Sequence, residues 1–201
     1  MQSTHNHIKE LIKKKRKGNL FFTNDFKSFG NGDAIRQTLS RLCREEFIIR
    51  LSNGIYLYPK TSKLIGIVYP SVEDIAKAIA KKEKARLIPT GLYALNRLGL
   101  STQVPMRVVF LTDGAPRVIK VGKKATIRFK KTVAKHLAFK GDITTLIIFA
   151  LKEIGKGKVT DLELQIIKET LAIEENDNII HDANLAPEWI SDILLKLKKN
   201  E

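Results

Sequence analysis

The chain has 201 residues, 36 of them Lys or Arg and 21 Asp or Glu, for a formal net charge of +15 and a pI near 9.9. That excess points to a polyanionic partner, nucleic acid first and an anionic membrane surface second, with an acidic protein partner or a generic basic surface as the plainer alternatives. One cysteine, Cys43, excludes an intrachain disulfide framework and a cysteine-based zinc cluster; no leader-like apolar core or bilayer-length run is present, so the expected home is the reducing cytoplasm.

In chain order, Thr4 opens a helix expected to run to about Lys17, with Ile8, Leu11 and Ile12 on its buried face and Gly18 as its stop. The basic tract Lys13 to Lys17 complements the negative end of the helix dipole, and its length leaves phosphate contact open as a second role. Leu20, Phe21 and Phe22 read as a short strand, and Thr23 as the cap of a brief helix over 24–29 with Phe26 and Phe29 inward. Gly30-Asn31-Gly32 makes a turn. From about Asp33, Ile35, Leu39 and Leu42 recur at helical spacing, with Cys43 beside them as a small core residue.

At 100° per residue, Gln37, Ser40, Arg41 and Arg44 fall on the opposite side of that helix, with Arg36 at its flank. Guanidinium, amide and hydroxyl groups suit phosphates and base edges. Phe47, Ile48 and Ile49, then Ser52-Asn53-Gly54, then Ile55 to Tyr58 read as a hairpin, because an Asn-Gly pair tolerates positive φ. Helix, strand, helix, turn, helix, hairpin is the order of a winged helix-turn-helix. Arg36, Gln37, Ser40, Arg41 and Arg44 are therefore the candidate DNA-contacting residues of the helix, and Arg50, Ser52 and Asn53 those of the wing. Pairing of these arginines with Glu45 or Glu46 is the competing reading.

Residues 60–69 read as an ordered connector. Ser71 opens a helix with Ile75, Ala76, Ile79 and Ala80 buried. A short strand over 85–88 ends at Pro89, Thr90 caps a helix through Leu98, and Arg107 to Thr112 is a strand. Arg117 to Val121 and Thr126 to Lys130 form a second hairpin, in whose later arm Ile127 and Phe129 alternate with Arg128 and Lys130. Arg117, Lys120, Lys123, Lys124, Arg128, Lys130 and Lys131 make a candidate second basic surface, or the solvated face of a hairpin. Asp142 caps a helix to Glu153, Thr160 to Glu163 is a capping box, 174–178 is a polar loop, and a last helix follows Pro187.

The sequence thus reads as an α+β protein: a winged helix-turn-helix over 1–59, then a mixed α/β domain over 60–201 with a hairpin and carboxy-terminal helices. Enzyme readings find little support. His5, His7, His136 and His181 are scattered without metal-ligand spacing, and Asp113 and Asp142 read as a turn and a cap. No catalytic residue, metal or cofactor is expected. An RNA-binding or ribosome-associated basic protein is the alternative, with Tyr56 and Tyr58 as its base-stacking residues.

The stretches 34–42, 47–50 and 53–59, followed by Pro89 to Ser101 and Thr112 to Arg117, resemble antitoxins of the AbiE-type (type IV) toxin–antitoxin systems, in a branch apart from the characterised members. The likeness covers roughly two thirds of the chain; its winged-helix part is generic and its downstream part more diagnostic. It implies an amino-terminal winged helix that represses the protein's own promoter. It also implies a basic downstream domain and a nucleotidyltransferase-like toxin as partner.

Overall fold

The computed structural model describes residues 4–123 and 125–199. The chain divides into two compact units, Met1–Ala78 with Ile119–Lys124, and Ile79–Val118 with Ala125–Glu201.

The first unit starts with helix α1 (Thr4–Lys13), strand β1 (Leu20–Phe22) and a 3-10 helix (Thr23–Phe29). Helix α2 (Gly32–Arg44) and strands β2 (Ile49–Ser52) and β3 (Ile55–Leu57) follow. The three strands form an antiparallel sheet in the order β1–β3–β2. Ile8, Ile12, Phe26, Leu39 and Leu42 are fully buried beneath it in one core. This is the winged-helix arrangement, and its apolar positions are those the helical periodicity picks out.

Several local expectations are corrected. Helix α1 stops at Lys13, so the rest of the basic tract is not helical, and Gly18 follows with φ 94°. The 3-10 helix is closed by the Asp25 carboxylate, which accepts the Phe22 amide at 2.8 Å, and not by Thr23. Within the wing turn only Gly54 takes a positive φ, 73°. The register slips by one residue at Leu51, a bulge that the Asn-Gly pair does not announce.

The connector over 60–69 is a hairpin of its own, β4 (Lys60–Ser62) with β5 (Gly66–Val68). Helix α3 (Val72–Glu83) then buries Ile75, Ala76, Ile79 and Ala80 as expected.

The second unit holds β6 (Leu87–Thr90), α4 (Leu92–Arg97), β7 (Arg107–Thr112), the first two residues of β8 (Arg117–Val121) and β9 (Ala125–Lys131); β8 from Ile119 on is counted with the first unit. The sheet order is β6–β7–β9–β8, with β6 antiparallel and β9 parallel to β7. Pro89 lies inside β6 and does not end it; a proline is tolerated there because β6 is an edge strand. Thr90 is a strand residue whose hydroxyl donates to the Val109 carbonyl at 3.1 Å, so Gly91, not Thr90, precedes helix α4.

Five more helices complete the unit: α5 (Ala134–Leu137), α6 (Asp142–Ile154), α7 (Asp161–Leu171), α8 (Asn176–Leu185) and α9 (Glu188–Lys199). Their core centres on Ile147, Ile148, Ala150, Ile190 and Leu194. The Thr160–Glu163 capping box is formed. The polar stretch expected as a loop over 174–178 contains the start of α8, and Asp142 does not cap α6. That role falls to Glu174, whose Oε2 accepts the amides of Ile143 at 2.9 Å and Thr144 at 3.3 Å.

Candidate nucleic-acid interface

Helix α2 begins where Asn31 Oδ1 accepts the Ala34 amide at 2.8 Å, satisfying one donor of the first turn. It ends by a left-handed residue, Glu46 at φ 54°, with the Phe47 amide returning to the Leu42 carbonyl at 3.0 Å. Ile35, Thr38, Leu39 and Leu42 are buried between these ends. Arg36, Gln37, Ser40, Arg41 and Arg44 are exposed, as the phase of the helix requires.

Five of the eight predicted residues meet in one groove. Arg36, Ser40 and Arg44 line it from α2 at four-residue intervals, and Arg50 and Asn53 line it from the wing. Thr23, Cys43, Gly54 and Tyr56 complete a space of about 600 Å³. Gln37 and Arg41 are exposed on the helix but do not line the groove; Ser52 is half-buried on β2. Thr23 and Cys43 belong to the groove by tertiary placement, which no local pattern signalled.

The electrostatics of the groove are one-sided. Three guanidinium groups face it, and no carboxylate among the described residues lines it. The Arg50 guanidinium donates to Asn53 Oδ1 across the wing turn, which orients one end of the fork and leaves other N–H donors outward. Arg36 donates to Asp33 Oδ1 one turn back on the exposed helix surface. Of the two acidic residues that compete for these arginines, Glu45 and Glu46, Glu45 has Lys9 Nζ 2.8 Å from its carboxylate and His5 Nε2 at 3.9 Å, and Arg41 acts on it as a nearby charge. The Lys9 hydrogen bond holds the Glu45 carboxyl below its ordinary range. Burial pushes the Cys43 thiol up, against the opposing pull of Arg50.

The stacking surface proposed for RNA is weaker in place. Tyr56 is 6 % exposed, and Tyr58 packs on Phe47 with centroids 5.2 Å apart.

The residues of the candidate second basic surface are divided between the two units. Arg117 is half-buried, its guanidinium bonded to Glu83 and, at 3.3 Å, to the Ala115 carbonyl, so it is engaged inside its own unit. Lys120 and Lys123 are exposed in the first unit; Lys124 lies outside the described residues. Arg128, Lys130 and Lys131 are exposed in the second unit, and Lys130 shares a pocket of about 430 Å³ with Arg107 and Lys152, two cations not singled out in the sequence. Burial and the nearby Lys135 push the Lys152 ammonium below its ordinary range.

Residues 7–179 match the model of a family of unknown function, DUF6088. The chain belongs to that family. No curated protein matches the sequence. Among solved structures, this DUF6088 chain is similar to the RV2827C protein from Mycobacterium tuberculosis, at 10 % identity and a TM-score of 0.46 over 96 % of this chain and 81 % of that one. No helix among the described residues is long and apolar enough to cross a membrane.

Proposed function

We propose that the protein is a DNA-binding transcriptional regulator that represses its own promoter, acting as the antitoxin of an AbiE-like toxin–antitoxin system in the cytoplasm. The observation that supports this reading is the groove between α2 and the wing, with Arg36, Arg44 and Arg50 around it and no carboxylate among the described residues lining it. Guanidinium forks at helical spacing match phosphate oxygens and guanine edges. Arg41 and Gln37, outward on the same helix, reach for base edges, and Ser52 and Asn53 for the backbone beside the wing. The antitoxin assignment rests on the sequence resemblance, and a nucleotidyltransferase-like protein is the proposed partner.

The test is a salt-dependent binding titration on DNA from upstream of the protein's own gene, with scrambled duplex and structured RNA as competitors. Preferential binding to its own upstream DNA, weakening as salt rises, is the expected result, and the slope counts the phosphates neutralised. Equal binding to all three would reduce the groove to an unspecific polyanion grip. Co-purification with a nucleotidyltransferase-like product of the adjoining gene tests the antitoxin half separately.

A further inference from the structure

The hairpin β4–β5 carries apolar side chains where a ribbon in water normally carries polar ones. Leu64 is 95 % exposed and Ile65 73 %, adjacent in the connection between the strands, and Ile67 is exposed on the second strand. The pairing Lys60↔Val68, Thr61↔Ile67 and Ser62↔Gly66 is regular. Ser62 Oγ accepts the Leu64 amide at 3.3 Å, and Gly66 supplies the left-handed residue with φ 71°. The two aliphatic side chains are thus held outward by an ordered turn.

Charge indicates what they meet. From Phe47 to Val72 the sequence contains no Asp or Glu, while Arg50, Lys60 and Lys63 are cationic. At the base of the hairpin, Lys60 lines a groove of about 810 Å³ with Arg16 and Lys17, the non-helical end of the amino-terminal basic tract. Asp74 is the one carboxylate among its described lining residues, and it already accepts the Ser71 hydroxyl at 2.7 Å. The occupant must offer negative charge along the base and admit two aliphatic side chains at the tip. Duplex DNA does both, because phosphates flank base steps that open around apolar wedges. Arms of three residues carry the tip about 10 Å at ~3.3 Å per residue, comparable with the ~7.5 Å depth of the minor groove.

We propose that β4–β5 is a DNA wedge. Leu64 and Ile65 enter a base step from the minor groove, and Arg16, Lys17 and Lys60 hold the adjoining phosphates, so the duplex kinks. This rests on the DNA-binding reading above and adds a bending role to it.

The experiment uses the full chain and duplexes of the upstream sequence, end-labelled for energy transfer and carrying 2-aminopurine at pyrimidine–purine steps. Affinity is read in parallel by anisotropy. The expected result is a rise in energy transfer and in 2-aminopurine fluorescence with the unsubstituted protein. Both are lost in Leu64→Ser/Ile65→Ser, which still binds DNA and keeps its melting temperature because the tip is exposed. Arg16→Gln/Lys17→Gln/Lys60→Gln flattens the salt slope by about 3, near 0.9 per phosphate released. Binding without bending, or bending unchanged in the tip variant, overturns the wedge and leaves the DNA-binding reading standing. No binding to any duplex removes both. Sedimentation with phosphatidylglycerol vesicles that depends on Leu64 and Ile65, with DNA left straight, overturns the wedge in favour of a lipid surface.

Discussion

Asp182, fully buried, accepts the backbone amide of Gly141 at 2.9 Å across 41 residues of sequence. Its other oxygen accepts the Lys140 amide at 2.8 Å and lies 2.9 Å from His181 Nδ1. One carboxylate on α8 thus fixes the chain just before α6, while Glu174, just ahead of α8, holds the first amides of α6 itself.

Asp182→Ala is expected to destabilise the second unit by about 1–3 kcal/mol for each amide left without a partner. Asp182→Asn keeps one carbonyl acceptor and is expected to fall between that variant and the unsubstituted protein. The single tryptophan, Trp189, packs against this core, so urea unfolding followed by its fluorescence reports the unit directly. A loss below half a kcal/mol in Asp182→Ala would mean that water takes over the acceptor role.

Thr144 on α6 makes the opposite case. Its hydroxyl is buried without a hydrogen-bond partner among the described residues, so the folded state carries a desolvation cost with no return. Thr144→Val keeps the shape and removes the cost, with an expected gain of up to about 1 kcal/mol. The same fluorescence titration measures it, and a clear loss would indicate a bonded hydroxyl.

These bonds also explain what the sequence concealed. Helix α2, strands β2 and β3, the Thr160–Glu163 box and the helix after Pro187 depend on neighbours within a few residues, and their patterns are local. The cap of α6 is not, since Glu174 lies 31 residues beyond the amide of Ile143 that it accepts. Thr90 carries a capping side chain, but its hydroxyl is taken by Val109 across the sheet. The start of α8 is polar, so no apolar stripe marks it. Hairpin β4–β5 was unreadable for the reverse reason: Leu64 and Ile65 are apolar but exposed, and apolarity is read as burial. At the site, helical phase placed Ser40 and Arg44 on the outward side and Arg36 at its flank. That Arg50 and Asn53 join them across one groove is a property of the tertiary fold.

Stability should also respond to mild acid through His136. Its ring packs edge-on to Phe149 with centroids 5.1 Å apart, and its Nδ1 lies 2.8 Å from Thr132 Oγ1. Burial, then Lys152 and Lys135, push the imidazole below its ordinary value of 6.5. The unfolded chain therefore binds this proton more readily than the folded one. The contribution is fully present above pH 6.5 and declines as pH falls from there through the lower folded value. His136→Asn is expected to flatten the dependence in that window. Glu10 and Glu45, held below 4.5 by Lys13 and Lys9, act only at lower pH. Trp189-monitored unfolding between pH 7.5 and 5 tests this, and equal slopes in both proteins would exclude His136 as the source.

The arginines of α2 should separate into two behaviours. Arg44 lines the groove with Arg50, whereas Arg41 is exposed outside it. Arg44→Ala is expected to weaken binding to all duplexes and reduce the salt slope by about 1. Arg41→Ala is expected to cost about 1–3 kcal/mol on the preferred sequence, with little loss on scrambled DNA. The double variant is expected to lose specific binding and keep its melting temperature, because both side chains are exposed. A fall of several degrees would place that face in a packed interface. Anisotropy titrations at three salt concentrations, alongside thermal melts, decide among these outcomes.

Cys43 offers a direct report from inside the groove. It is the only cysteine, lies on the groove between α2 and the wing, and is half-buried. Burial raises its thiol pKa, so less of the reactive thiolate is present near neutral pH and alkylation should be slower than that of a free cysteine. A duplex seated over Arg36, Arg44 and Arg50 covers the approach to the sulfur. Saturating upstream DNA is therefore expected to slow alkylation several-fold further, with the protection disappearing at salt concentrations that release the duplex. Mass spectrometry of the intact chain counts the label without ambiguity. If bound DNA leaves the rate unchanged, the duplex does not occupy this groove, and the exposed Gln37 and Arg41 side of α2 becomes the contacting face.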